Sequence, residues 1–256
     1  MKKERSYRVF IFYAILFQFM ILVSQNNRIE NLSTTSIKNY TTRDATVQVL
    51  INYSSFADPT QFNVSYSGSG TIVGIKGMTL YVLTVKHVCL PDGEDRFLEQ
   101  ANISREIEIL DTTGEYYQAS IVATSNVDDL CLIRYKTPNA ASAVVAKISE
   151  RPAYLDEEMY MYAAPAGFYV PSAITQFQGV SAGNAVINNI NTAIYTIPAA
   201  GGSSGAAVIN SDGKIVGVLH STLVEFHHIS LATPHDVLIE FLNDVEYVEG
   251  ISILDD

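Results

Sequence analysis

Two cysteines in 256 residues are too few to staple a small core, which excludes a disulfide-built scaffold. Fifteen glycines and eight prolines carry no collagen-like or low-complexity bias, and 48% hydrophobic residues is too apolar for intrinsic disorder. Basic residues are scarce as well. Sixteen Lys and Arg face 27 Asp and Glu, and residues 1–24 alone hold a net +3, leaving −14 on the rest of a chain whose total is −11. Such a body has no Lys/Arg stripe for phosphates, so nucleic acid is not an expected partner. A folded globular chain remains, long enough for one domain of about 200–250 residues or two sub-domains of about 100.

Long hydrophobic runs are also rare, with one exception. Lys2, Lys3, Arg5 and Arg8 precede residues 9–23, VFIFYAILFQFMILV, broken only by Gln18. A basic start followed by an apolar stretch of this length reads as a signal peptide or signal anchor over residues 1–24. The candidate cleavage point follows Ser24, with bulky Leu22 at −3; an uncleaved anchor is the alternative. Either version exports the remainder, to the periplasm, the extracellular space or an anchored position outside the cytoplasm. Residues 25–44, rich in Asn, Ser and Thr, read as a polar tether.

From residue 45 onward, short runs of Val, Ile, Tyr and Thr alternate with Gly, Asp, Asn and Pro, a strand pattern. Strands are expected near 45–53, 70–76, 78–85, 106–110, 115–124 and 130–135. After a break at 136–140 come 142–147, 157–163, 172–181, 192–197, 206–210, 214–220 and 228–233. Lys76-Gly77 and Asp212-Gly213 are hairpin signals, and only residues 234–245 have helical spacing. The fold expected is all-β: two successive six-stranded antiparallel β-barrels over 45–140 and 141–233, then a C-terminal helix and tail over 234–256.

Gly201-Gly202-Ser203-Ser204-Gly205-Ala206 places a serine in a turn with little side-chain bulk, just before a strand. The turn exposes the Ser204 hydroxyl and lets the Gly202 and Ser204 amides converge as an oxyanion hole. A serine nucleophile needs a base. His87, at the end of a predicted strand, is the candidate. Asp129, directly ahead of the strand Leu130-Cys131-Leu132-Ile133, is the candidate to orient its ring, with Asp128 as the alternative. The chain order His, Asp, Ser is that of the chymotrypsin arrangement and not of α/β-hydrolases, which run Ser, Asp, His.

With Gly68-Ser69-Gly70-Thr71, Thr84-Val85-Lys86-His87-Val88, the Asp129 strand, Gly202-Ser203-Ser204-Gly205 and Gly213-Lys214-Ile215-Val216-Gly217 in this order, residues 45–245 resemble the trypsin-like serine peptidases. The ending Ile229-Ser230-Leu231-Ala232-Thr233-Pro234 is similar to the bacterial high-temperature-requirement branch. The resemblance implies a double barrel with its active site between the barrels. It also implies endopeptidase activity on polypeptides through His87, Asp129 and Ser204, without a metal or organic cofactor. Ala206 and Ser203 depart from the usual Gly and Asp or Asn, both small changes, and the branch's peptide-binding regulatory domain is not expected. By the same resemblance His220, Ser221 and Thr222 line the substrate pocket. Residues 196–200 offer no carboxylate to its base, which argues against a Lys or Arg preference. His220 reads either as a donor to an acidic or amide side chain or as a strand-end cap beside a pocket for small aliphatics. His227-His228 is a poor metal pair, since adjacent strand residues face opposite ways.

Cys89 and Cys131 each lie two residues after an expected triad member; a disulfide bracing the cleft and two buried thiols are both open. Asn31, Asn39, Asn52, Asn63 and Asn102 stand in N-x-S/T sequons. Two other functions use the same residues: an inactive peptide- or partner-binding module, and a serine esterase.

Overall fold

Strands rich in Val, Ile, Tyr and Thr, joined by turns, close two sheets on themselves. The computed structural model describes residues 18, 20, 23, 24, 42–55, 63–90, 103–223 and 225–254. The first barrel comprises β1 (Thr46–Ser55), β2 (Asn63–Lys76), β3 (Thr79–Val85), β4 (Ile103–Leu110), β5 (Tyr116–Ser125) and β6 (Leu130–Lys136), in the closed order β1-β2-β3-β6-β5-β4. The second comprises β7 (Glu158–Ala163), β8 (Thr175–Ile187), β9 (Ile190–Tyr195), β10 (Ala207–Asn210), β11 (Ile215–Leu223) and β12 (Phe226–Thr233), in the order β10-β11-β12-β9-β8-β7. All twelve pairings are antiparallel. Closure leaves neither sheet a free edge.

Every second residue of β1 from Val49 onward is buried (Val49, Ile51, Tyr53) while Leu50, Asn52 and Ser54 are half-exposed, as a period of two demands. Leu80, Leu83, Ile109, Leu130, Leu132 and Ile133 complete the first interior. Met159, Met161, Tyr195, Ile197, Val208 and Leu219 fill the second. A one-turn helix, α1 (Lys86–Cys89), follows β3, and α2 (His235–Glu249) follows β12. The latter buries Leu238, Leu242 and Val245, at spacings of four and three, in the cluster containing the first barrel. Full burial of each leucine is worth about 1.5–3 kcal/mol. Gly250, at φ 60°, ends the helix in the left-handed conformation, its N–H donating to the Glu246 carbonyl.

Several local expectations change, and β2 begins at Asn63, seven residues earlier than expected. Residues 142–147 are not a strand: a 3₁₀ turn at Ala140–Ser142 is followed by a connector. The connector pairs with both barrels, Ala146 N–H to the Ile72 carbonyl (2.8 Å) and Ile215 N–H to the Lys147 carbonyl (2.8 Å). Its valines are apolar because they cover the first core, not because they join a sheet. β8 runs six residues beyond its expected end, to Ile187, and β9 begins two residues early, at Ile190, so that a two-residue turn at Asn188-Asn189 with φ 52° and 66° joins them. Asparagine tolerates that region, and such turns match strand twist. In the expected tether, residues 42–44 form a helical turn, and buried Thr42 donates to the Gly213 carbonyl at 2.6 Å.

Residues 39–256 form one compact unit and residues 1–38 another. The signal or anchor over 1–24 and the tether up to residue 41 lie outside the described residues, apart from Gln18, Met20, Val23 and Ser24, which are helical and exposed. Among the described residues no helix is long and apolar enough to cross a membrane.

Candidate active site

His87 lies in α1 rather than at the end of β3, and Asp129 in the turn between β5 and β6, at φ 53°. Adjacent strands β3 and β6 bring the two together. Asp129 holds the histidine at two points: its Oδ1 accepts the His87 main-chain N–H at 2.9 Å, and its Oδ2 lies 2.6 Å from His87 Nδ1. Its own carbonyl accepts the Lys86 N–H at 3.0 Å. A carboxylate only accepts, so the neutral imidazole carries its proton on Nδ1 and leaves Nε2 basic. The His87 side chain is 45% exposed, open to the cleft. Asp128 is occupied elsewhere. Its Oδ2 accepts from Ser125 Oγ (2.7 Å), and its carbonyl accepts from Thr233 Oγ1 (3.0 Å), a tie from the second barrel to this turn.

Cys89 and Cys131 form a disulfide with Cα atoms 6.7 Å apart. It joins the end of α1 to β6, so the elements bearing His87 and Asp129 are linked covalently as well as by the sheet.

The Ser204 loop is fixed through its carbonyls. Gly201 C=O accepts the Ala166 N–H (2.5 Å) and Ser203 C=O that of Ala206 (3.1 Å). Gly202 C=O accepts from Ser69 Oγ at 2.9 Å, and Ser204 C=O accepts the Ser69 N–H at 2.8 Å. The Ser203 N–H donates to Ala200 and the Gly205 N–H to Leu219. Among the described residues, the Gly201, Gly202 and Ser204 N–H groups meet no backbone acceptor, so the two expected oxyanion donors are among the amides this turn leaves without one. Glycine is required on both sides of the serine. At Gly202 (φ 89°) a Cβ would stand 2.5 Å from the Ala164 carbonyl, and at Gly205 (φ 87°) 2.1 Å from that of Ser69. Ser203 and Ala206 are fully buried, so both departures from the family pattern fit.

Ser204, Gly202 and His87 line one cavity of about 400 Å³ with Ile51, Tyr53, Tyr66, Ser67 and Val88. His220, Ser221 and Thr222 do not line it. They lie on β11, where the register slips between Leu219 and Ser221 and puts His220 at a bulge. Leu219 enters the second core, while His220 sits half-buried within electrostatic reach of Asp129 and His87, its Nδ1 3.0 Å from Ser221 Oγ. Burial holds the His220 imidazole below the usual histidine range, opposed by the Asp129 charge and reinforced by His87. Thr222 Oγ1 donates to the Ile229 carbonyl. His227 and His228 are exposed, and among the described residues no group of three or more His, Cys, Asp or Glu could hold a metal ion.

Ser69 and Thr233 were not among the expected site residues. The Gly68-Ser69-Gly70 segment signals a close backbone approach, which points to Ser69; nothing local marks Thr233, a β-branched residue at a strand end.

The family model for the trypsin-like peptidase domain matches residues 68–218. Serine endoprotease DegS of Haemophilus influenzae is 25% identical over 207 residues, covering 77% of this chain and 56% of the relative. The chain thus spans little more than half the length of that curated relative. The crystal structure of the serine endoprotease from Yersinia pestis superposes with a TM-score of 0.58 at 22% identity, over 82% of this chain and 66% of that one; this likeness bears on the fold, two six-stranded antiparallel barrels with a C-terminal helix. With the family model spanning more than half of its length, the chain belongs to the trypsin-like peptidase domain family.

Proposed function

We propose that this protein is a serine endopeptidase that cleaves polypeptides with His87, Asp129 and Ser204. His87 Nε2 takes the Ser204 proton as Oγ attacks the scissile carbonyl carbon. The carbonyl π-bond breaks onto oxygen, and the oxyanion is held by the Gly202 and Ser204 amides. Asp129 stabilises the imidazolium without taking its proton. The imidazolium then protonates the leaving amine, and a water, deprotonated by His87, releases the acid from the acyl-enzyme. The observation that carries this reading is the two-point hold of Asp129 on His87, whose ring lines one cavity with Gly202 and Ser204.

Export fits the reading, because structural disulfides such as Cys89–Cys131 persist in oxidising compartments. The proposed organisation is a signal or anchor over 1–24, a tether up to the turn at residues 42–44, barrels over 45–140 and 141–233, and a C-terminal helix and tail. The proposed substrate pocket is lined by His220, Ser221 and Thr222, with His220 within electrostatic reach of the His87–Asp129 pair.

Digestion of an unfolded polypeptide by the full chain, compared with Ser204→Ala, tests the activity. The expected loss is about 10⁶-fold in turnover. Hydrolysis of small esters without any polypeptide cleavage would shift the reading to an esterase, and equal digestion by both proteins would refute it.

A further inference from the structure

Two consecutive glycines, Gly201 and Gly202, sit beside the nucleophile, and glycine backbones reorient peptide planes at little steric cost. What decides whether the Gly202 amide faces the cleft is therefore outside the loop. A trans peptide points its C=O and N–H in opposite directions, so whatever binds a carbonyl aims the amide across the same bond. The Gly202–Ser203 plane is held at both ends, its C=O by Ser69 Oγ (2.9 Å) and its N–H by Ala200 (2.9 Å). The Gly201–Gly202 plane is held by Ala166, in the 3₁₀ turn Pro165–Gly167. Ser69 meets this turn too, because its Oγ accepts the Ala164 N–H at 2.9 Å. Its hydroxyl both donates and accepts, its amide binds the Ser204 carbonyl, and its own carbonyl is fixed by Thr84 Oγ1 at 2.8 Å. The residue is fully buried, so no water replaces these bonds.

We propose that Ser69 is a positioning residue for the oxyanion hole: from the first barrel, its hydroxyl locks the Gly202 carbonyl and the Ala164 amide into one network, fixing the peptide plane next to the Gly202 N–H and the turn that holds the Gly201 carbonyl, and so keeps that N–H turned into the cavity shared with Ser204. This rests on the peptidase reading and adds to it a part that never touches substrate. Removing the hydroxyl leaves the Gly202 carbonyl and the Ala164 N–H without their partner, and the glycine pair can then turn a peptide plane to recover one. The cost falls on the transition state, where the oxyanion forms, and not on substrate binding.

The test is steady-state kinetics on a chromogenic peptide with the full chain as wild type, Ser69→Ala and Ser69→Cys, with fluorophosphonate labelling and thermal unfolding of each. The expected result is a kcat about 10²-fold lower in Ser69→Ala, the scale of losing one oxyanion donor, with KM unchanged within about twofold. Ser69→Cys, whose thiol is a weak donor, falls between. Undiminished kcat in a folded, labelled Ser69→Ala overturns the inference and leaves the peptidase reading intact. A loss matched in KM, or one that follows unfolding in both variants, assigns Ser69 a purely structural role and overturns it as well. Failure of folded wild type to label overturns the peptidase reading itself, and the inference with it.

Discussion

Asp129→Asn separates the charge and tautomer role of this residue from its place in the fold. Asparagine is tolerated at φ 53°, and its side-chain oxygen can still accept the His87 N–H now bound at 2.9 Å. Its NH₂ group then faces His87 Nδ1 across 2.6 Å. Two donors cannot share that contact, so Nδ1 must become the acceptor and the ring proton moves to Nε2. The base nitrogen is then occupied, and kcat should fall by about 10⁴-fold, or about 5.5 kcal/mol of transition-state stabilisation. Asp128→Asn is the control. Among the described residues its carboxylate bonds only Ser125, and its tie to Thr233 uses the main chain, so kcat should stay within about threefold of wild type. Peptide hydrolysis gives the rates, and ¹⁵N NMR of the imidazole reads the tautomer. An Asp129→Asn enzyme within tenfold of wild type, or an Nδ1–H tautomer retained in it, would refute the reasoning.

Replacing Cys89 and Cys131 together by serine opens a loop closed over a sequence separation of 42. Chain entropy puts the loss near 4 kcal/mol at most, and about 2–4 is expected in practice, read by urea unfolding; a change below about 1 kcal/mol would mean that the sheet alone holds α1 to β6. Acid should weaken the fold through His220. Its folded pKa is lowered by burial from 6.5, so the unfolded chain binds the proton first: nothing is lost above about 6.5, stability drops as pH falls from there to the lower folded value, and below that value the loss is complete. His220→Gln should flatten that part of the stability curve, and an unchanged slope would place the titration elsewhere.

The two barrels are legible because short runs of Val, Ile, Tyr and Thr stand between turn residues; a period of two shows in Val49–Ser54 and in the first half of β5, whereas Leu130–Ile133 of β6 is buried throughout. Residues 142–147 misled because an apolar connector lying on a core has strand composition without strand pairing. Asn188-Asn189 escaped notice because two asparagines without a glycine are a weaker hairpin signal than Lys76-Gly77. At the site, the segments around His87, Asp129 and Ser204 stand out locally through strand ends and glycines. The direction of His220 does not, since the one-residue slip after Leu219 decides which way it faces. Ser69 and Thr233 act through bonds to residues 133 and 105 positions away; the glycines flanking Ser69 mark a close approach but not its partner, and nothing local marks Thr233.

Fluorophosphonate labelling of the full chain, with the adduct mapped by mass spectrometry, tests the central claim most directly, because only an activated serine beside an oxyanion site reacts quickly. One adduct is expected, on Ser204, absent from Ser204→Ala and strongly diminished in His87→Ala. A folded wild type that stays unlabelled, or an adduct on another residue that persists in both variants, would contradict it.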